Sequence, residues 1–453
     1  MIRRCGVAIV GGGISGLATA YYLRRLKPQI SIAVLEASRY WGGKIITERR
    51  DGCVIEWGPD AFITSKPGAL ELVEELNLSG QVLSSQKEHS RTLVLRDGKL
   101  APVPDHFHLL APLSVGSFLK SSLFSFSGKV EVLRERFRPA RKDSEDESIA
   151  SFVRRRFGSE ALDLLGGPLL AGIYMGDPER LSIQATFPQL VELERSYGSV
   201  TKGINRRKLP SAGGRSLFVT LSDGMETLTQ TLLRKVDAAL CSETAVHRIE
   251  RMESGYRLHT GRDEIHADQV VVTVDPDSLR KMLSPPTLLP ELSRLEATSS
   301  IVAIMVYDSP VSIPKAYGVL IPKSERRSIR AITFSSQKFA GRVPPGFSML
   351  RVFAGGDSIV EMEDKPFLRL VSQELENILG IRAQPRFSRI IRWGKANPQY
   401  LVGHNKLIAS LERGLKTSAP GVHLAGAAYY GVGIPDCIGR AKAVAAAMAS
   451  KVE

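Results

Sequence analysis

Apolar residues along this chain switch between two periods, and the switch predicts its first elements. Val7–Val10 is a continuous apolar run of β-type residues that stops at Gly11-Gly12-Gly13. From Ile14 to Leu26 the pattern changes to helical spacing, with Leu17, Ala20 and Leu23–Leu26 on one side, and Pro28 ends it. Ile30–Leu35 is a second buried strand closing on Glu36. Together these predict a strand–turn–helix–strand unit of about 30 residues, hence a right-handed crossover and a parallel sheet.

Further along, Ser65–Leu78 reads as a helix opened by Pro67, and Thr92–Val103 as a hairpin turning at Asp97-Gly98. Between His106 and Arg138 the character changes, with Leu and Phe interleaved with Ser and Lys and few acids. Helical patterns resume at Ser148–Phe157 and Ser159–Leu165. Val270–Val274, Val302–Tyr307 and Met349–Phe353 are strand-like. The chain closes with a strand at Val422–Leu424, a glycine-rich turn over Gly426–Gly433, and an Ala-rich helix from Asp436 onward.

A length of 453 residues implies two or three domains, and 43% hydrophobic with 24% charged residues is ordinary for a globular chain. Four cysteines (Cys5, Cys53, Cys241, Cys437) lie far apart with no CxxC pair, which fits a reducing cytoplasm and neither a disulfide framework nor zinc. His106 and His108 flank Phe107 without a nearby acid or Cys, so no metal site is expected. Neither a secretory leader nor a run of about 20 apolar residues is seen. The net charge of +14 reads as a basic solvated surface, an anionic membrane surface or a polyanionic substrate. Nucleic-acid binding finds no supporting motif.

Gly11-Gly12-Gly13-Ile14-Ser15-Gly16 follows a strand and opens a helix, as a dinucleotide fingerprint requires. The first glycine makes the tight turn, the second lets a pyrophosphate approach the backbone, and the third packs helix on strand. Glu36, ending the next strand, is placed to accept from a ribose 2′-hydroxyl and would repel a 2′-phosphate. Two features choose FAD over NAD. Trp41-Gly42-Gly43-Lys44 supplies a second close-approach turn beside the diphosphate. Gly426-Ala427-Ala428, leading to Gly431-Val432-Gly433-Ile434-Pro435-Asp436, supplies a loop and helix start that can lie along an isoalloxazine ring.

The first segment, with Glu36-Ala37 and Gly42-Gly43-Lys44, resembles the glutathione-reductase-like flavoproteins of the amine oxidase and phytoene desaturase superfamily. Within it the chain looks like the protoporphyrinogen oxidase and coproporphyrin-forming coproporphyrinogen oxidase family. The resemblance is carried by Glu56–Phe62, Pro168–Pro178, Leu181-Ser182 through Phe187-Pro188 to Tyr197-Gly198-Ser199, Pro398-Gln399-Tyr400 with Gly403-His404, and Gly431–Ile438. It implies an α/β (α+β overall) fold: a Rossmann-like FAD-binding domain of the glutathione-reductase/amine-oxidase type, a substrate-binding β-sheet domain and an inserted, mostly helical domain. The FAD domain is then expected at residues 1–85, 211–280 and 391–453, the helical insertion at 86–210 and the substrate domain at 281–390.

By the same resemblance, Gly11–Gly16, Glu36, Ala37, Gly43, Lys44, Gly58, Pro59, Asp60, Ala61, Val246, Trp393, Gly426, Val432, Gly433 and Ile434 contact FAD. Arg91 pairs with a substrate propionate, and Gly172, Leu320 and Phe339 line the tetrapyrrole cavity. Asp60 stands where relatives carry Arg, which removes a propionate contact there. On the residues alone, Gly172 and Gly176 also read as plain turns, Arg91 as an exposed hairpin charge, and Trp393 and His404 as core. The implied activity is oxidation of a porphyrinogen to a porphyrin with O₂ as acceptor and H₂O₂ as product, in haem biosynthesis. No Ser/His/Asp triad or paired carboxylates offer a protein acid or base, so no catalytic side chain is assigned. A flavin amine oxidase or carotenoid desaturase on the same fold, and a non-catalytic flavin-binding porphyrin-delivery protein, are the rival readings. The 106–138 stretch reads either as a helical subdomain or as a peripheral contact with the cytoplasmic membrane face, and a monomer and a homodimer stay equally open.

Overall fold

The computed structural model describes residues 4–105, 107–108, 110–207, 216–261, 263–285 and 288–450. His106 and Leu109 lie outside the described residues, as does the 208–215 segment. Two compact units result. One gathers Met1–Ser84, Arg215–Glu296 and Lys406–Glu453; the other gathers Ser85–Gly214 and Ala297–Asn405. The segments expected as a separate helical insertion and a separate substrate domain therefore pack as one unit. The expected boundaries at 281 and 391 fall instead at 297 and 406. At 391 strand Phe387–Gln399 runs across the expected break, and past 281 the second unit's sheet begins only with Glu296–Tyr307, its neighbour in that sheet.

In the first unit, a seven-stranded sheet among the described residues runs Ala239–Cys241, Ile32–Leu35, Arg4–Val10, Glu264–Val272, Tyr256–Thr260, Val246–Arg251, with Val422–Leu424 also on Glu264–Val272. The pairings among Ala239–Cys241, Ile32–Leu35, Arg4–Val10, Glu264–Val272 and Val422–Leu424 are parallel. Their runs are apolar because both faces are covered. Leu17, Leu228 and Ile438, from three helices, pack with Val7 and Ile9 on one side. Leu279, Ile408 and Leu411 pack with Ala8 and Val10 on the other. Register brings Leu35, Val10, Val272, Leu424 and Cys241 level. The turns that leave these strands thus emerge together at the carboxyl edge, where open α/β sheets bind ligands.

The second unit holds another seven-stranded sheet, ordered Phe387–Gln399, Glu296–Tyr307, Ser348–Gly355, Ala331–Phe334, Gly318–Leu320, Thr92–Arg96, Lys99–Pro102. The last two strands form the hairpin at Asp97-Gly98, where both residues have positive φ. One face, with Leu93, Val319, Ile332, Leu350 and Val352, packs on Phe367, Val371 and Leu375 of helix Asp364–Leu379. Strand residues of alternate parity form the opposite face. A β-carbon on Gly355 would stand 2.8 Å from Met175 Cε, so the chain after helix Gly167–Tyr174 rides on that opposite face.

The stretch expected as a helix over Ser159–Leu165 is longer and less regular. Ser159–Ala161 is α-helical, Leu162–Gly166 is a π-helical turn, and Gly167–Tyr174 returns to α. Gly172 thus lies within a helix and not in a turn. Such π turns concentrate at functional positions, because the inserted residue shifts the register of everything after it. Among the described residues, no helix is long and apolar enough to cross a membrane. Phe126 and Phe137, on the helical part of this unit, are 81% and 85% exposed.

Candidate functional site

Three glycine segments expected to touch one ligand are folded into a single structure at the carboxyl edge of the first sheet. Gly11 has φ +109°, and its N–H donates to Leu35 O at 2.8 Å. A β-carbon on Gly12 would stand 2.5 Å from Trp41 Cε3, and one on Gly16 would stand 2.0 Å from Gly11 O. Gly42 N–H donates to Gly12 O at 2.9 Å, and Gly13 pairs with Gly42 as an isolated parallel bridge. The Trp41–Lys44 turn is therefore zipped onto the first glycine turn. A β-carbon on Gly58 would meet Lys44 O at 1.9 Å, so Gly58–Ala61 presses on the same turn.

Glu36 fixes the other side. Its carboxylate accepts from Gly12 N–H at 2.7 Å and from Ser38 N–H at 2.9 Å. Two charge-assisted bonds hold the carboxylate beside the turn while each oxygen keeps accepting capacity. Thr244 N–H donates to Glu36 O at 2.8 Å, which brings the start of strand Val246–Arg251 to this edge. Ala37 is exposed next to it.

Two helices begin here with bare N-termini. Helix Ile14–Leu26 is capped by Gly13 and helix Ile434–Ala449 by Gly433, in neither case with a side-chain hydrogen bond. Their unsatisfied N–H groups and dipoles favour an anion. The Cys437 thiol bonds with Ser15, tying the first turn of one helix to the first turn of the other, and donates to Gly431 O at 3.6 Å. Burial pushes this thiol up to about 11, against the opposing Ser15 contact, so it stays protonated and is no nucleophile. Gly426, with φ +110°, packs where a β-carbon would lie 3.0 Å from Thr273 O.

Lys44 is exposed overall, with its amine the enclosed end. Burial lowers its pKa, opposed by Cys437 and Asp275. Sequence reasoning missed Thr273. Its hydroxyl donates to Val10 O at 3.0 Å and Gly11 O at 3.2 Å, buttressing the first turn from behind. Its position directly after the Val270–Val272 run was the available signal. Trp393 stands half-buried on strand Phe387–Gln399 of the second unit.

Of the four expected substrate residues, all lie in the second unit. Arg91 is exposed and 3.7 Å from Asp105, with both side chains more than half open to water. That separation and exposure leave it a weak surface pair. Phe339 is buried, with Lys338 Nζ 5.3 Å and Arg342 Cζ 5.7 Å from its ring centroid. Leu320 is half-buried, and helix Gly167–Tyr174, which carries Gly172, contacts the strand bearing Leu320. Among the described residues, no cluster of His, Cys, Asp and Glu is suited to a metal ion.

The chain matches the model of the "Flavin containing amine oxidoreductase" family over residues 14–449. It is 34% identical over 455 residues to a coproporphyrinogen III oxidase of Bacillus subtilis (strain 168), covering 96% of each chain. It is 27% identical over 467 residues to protoporphyrinogen oxidase 2, chloroplastic/mitochondrial, of Arabidopsis thaliana, covering 93% of this chain and 89% of that one. A crystal structure of a protein from Exiguobacterium sp. 255-15 superposes with a TM-score of 0.90 at 32% identity, covering 99% of both chains.

Proposed function

Since the chain belongs to the flavin containing amine oxidoreductase family, and within it to the protoporphyrinogen/coproporphyrinogen III oxidases, we propose that it oxidises coproporphyrinogen III to coproporphyrin III in haem biosynthesis, with FAD as cofactor and O₂ as acceptor. The observation that carries this reading is the end-to-end 34% identity to a coproporphyrinogen III oxidase. The cradle supports the cofactor. At Gly12 and Gly16 any side chain would collide with Trp41 or with Gly11 O, and two bare helix N-termini stand beside Lys44. These features suit a diphosphate, and Glu36 suits a ribose without a 2′-phosphate.

When bound, FAD supplies the redox chemistry, taking electron pairs from the macrocycle and delivering them to O₂ as H₂O₂. Overall, six electrons and six hydrogens leave the porphyrinogen, three O₂ are consumed and three H₂O₂ form. The chain's share is binding and orientation. The N–H groups of Gly13–Gly16 and the helix start at Ile434 would meet negative charge, and Glu36, already held by Gly12 N–H, would accept from ribose hydroxyls. The Gly426–Gly433 loop leads backbone N–H groups to the helix start, where they would favour negative charge on a bound flavin.

Anaerobic addition of coproporphyrinogen III to the yellow holoprotein is expected to bleach its flavin absorbance, and admission of air to restore it. Flavin that stays oxidised with coproporphyrinogen but bleaches with a primary amine would replace this reading by amine oxidation. In Glu36→Ala, flavin affinity is expected to fall about 10- to 100-fold, because a charge-assisted contact is lost and Gly12 N–H loses its acceptor. Release of free flavin on dilution measures this; unchanged retention would remove Glu36 from the cofactor site.

A further inference from the structure

An acid stands in the glycine cradle where the cofactor reading calls for none. Asp436 lies in the first turn of helix Ile434–Ala449, the helix whose start would favour negative charge on a bound flavin. An acid in a first turn stabilises its own helix through the dipole, but it opposes a further anion at the same end. Its side chain folds back over the glycine loop. A β-carbon on Gly431 would stand 2.5 Å from Asp436 Cβ, and one on Gly433, the N-cap, would stand 2.9 Å from Asp436 Oδ2. Both glycines thus make room for this carboxylate, and Gly431 also takes φ +140°.

A cation meets it. Lys66 Nζ donates to Asp436 Oδ1 at 2.6 Å, with the two side chains 50% and 22% exposed. Lys66 comes from far away in the chain, two residues before helix Gly68–Glu75. That helix begins in close contact with the same turn, since a β-carbon on Gly68 would stand 2.9 Å from Pro435 O. The segment that carries the cation is therefore seated on the helix start by backbone packing. Tyr430, Gly439, Arg440 and Lys442 border the cleft beside the pair. The other cations there have acids of their own: Lys442 pairs with Glu71 at 2.9 Å and Arg440 with Glu412 at 2.9 Å.

Taking up a hydride adds one negative charge to a flavin, so fixed charges near the helix start bias its oxidised and reduced forms. A unit charge acting over about 10 Å, at an effective dielectric constant of about 20, changes their ratio roughly tenfold. Alone, Asp436 would hold the flavin oxidised and offset the helix dipole. Joined to a cation at 2.6 Å, its field at a distance is largely cancelled. We infer that Lys66 and Asp436 form a tuning pair, in which Lys66 cancels the acid that braces the Gly431–Gly433 loop and so sets how readily the bound flavin accepts electrons. This inference rests on the flavin reading of the cradle and not on the identity of the substrate.

The test is an anaerobic reductive titration of the flavin-loaded protein against a reference dye, for wild type, Lys66→Met, Asp436→Asn and the double variant. At a fixed potential, Lys66→Met is expected to lower the ratio of reduced to oxidised flavin about tenfold, about 30 mV for a two-electron couple. Asp436→Asn, which keeps the shape of the side chain, is expected to raise the ratio by a similar factor. The double variant should return close to wild type. Both single shifts should shrink as salt rises, because Lys66 is half open to water. Lys442→Met breaks a comparable pair about 12 Å beyond Ile434 along the helix, and should leave the ratio unchanged. Single-variant shifts of the same sign, or a Lys442→Met shift as large as that of Lys66→Met, overturn the inference. If Lys66→Met loses its flavin, Asp436→Asn decides alone, and an unchanged or lowered ratio overturns it. A raised KM for coproporphyrinogen in Lys66→Met with an unchanged ratio makes Lys66 a substrate contact and overturns it as well. Opposite shifts in a protein that never oxidises coproporphyrinogen support the pair and overturn the proposed activity.

Discussion

Gly16→Ala is expected to purify without flavin. The added β-carbon would stand 2.0 Å from Gly11 O and 3.2 Å from Gly11 C, both backbone atoms of the turn itself. Nothing flexible is available to give way. Gly11 O also accepts from Thr273 Oγ1 at 3.2 Å, so moving it strains the contact with the residue that follows strand Glu264–Val272. Overpacking of this kind costs about 1–3 kcal/mol in stability. The larger effect falls on the cofactor, because the displaced atoms set the direction of the N–H groups at the start of helix Ile14–Leu26. Gly439→Ala is the control. It lies in helix Ile434–Ala449 with nothing within 4 Å of its added carbon, so it should keep flavin and gain about 1 kcal/mol of helix stability. Absorbance spectra of the two purified variants decide the matter; a yellow Gly16→Ala protein would refute the packing argument.

Arg156→Met is expected to have the largest effect on stability, although it lies away from the glycine cradle. Arg156 and Glu135 are both 0% exposed. The guanidinium donates to the Glu135 carboxylate and to the carbonyls of Glu135, Arg138, Pro139 and Gly198. Glu135 also accepts from Ser199 Oγ at 2.7 Å and Val200 N–H at 2.8 Å, at the start of helix Val200–Arg207. One ion pair thus joins three segments of the helical part. Removing Arg156 strands a buried carboxylate and costs about 3–5 kcal/mol. At roughly 2–4 °C per kcal/mol for a unit of this size, the melting temperature of the second unit should fall by about 6–20 °C. Glu135→Gln combined with Arg156→Met should recover part of the loss, since no charge is then left unpaired.

The same pair predicts an acid response. Burial alone would raise the Glu135 pKa, but the hydrogen bond and charge of Arg156, with Ser199 and Thr201, bring it below the ordinary carboxylate value of 4.5. A depressed folded-state pKa contributes stability that is fully present above the unfolded value and is lost as pH falls through the folded one. Wild type should therefore lose this contribution only below about pH 4.5, a range set by the unfolded carboxylate. Arg156→Met should be less stable already at neutral pH, and melting curves between pH 3 and 7 separate the two.

The parts of the fold legible in the sequence were those written in short-range pattern. The run Val7–Val10, its three glycines and the helical spacing to Leu26 specify a local unit, and the unit forms with strand Arg4–Val10 and helix Ile14–Leu26. The hairpin at Asp97-Gly98 was legible for the same reason, because both turn residues tolerate positive φ. Long-range pairing was not legible. Nothing near residue 172 announces the π turn at Leu162–Gly166, whose register shift depends on what the helix packs against.

The central claim is that the glycine cradle holds a flavin whose work is porphyrinogen oxidation. Its most direct test is the growth of porphyrin fluorescence, with matching H₂O₂, after purified yellow protein is added in air to coproporphyrinogen III and, separately, to protoporphyrinogen IX. The account predicts a rate well above the spontaneous one, faster with coproporphyrinogen. Fluorescence that grows no faster than without protein, while flavin stays bound, would contradict it.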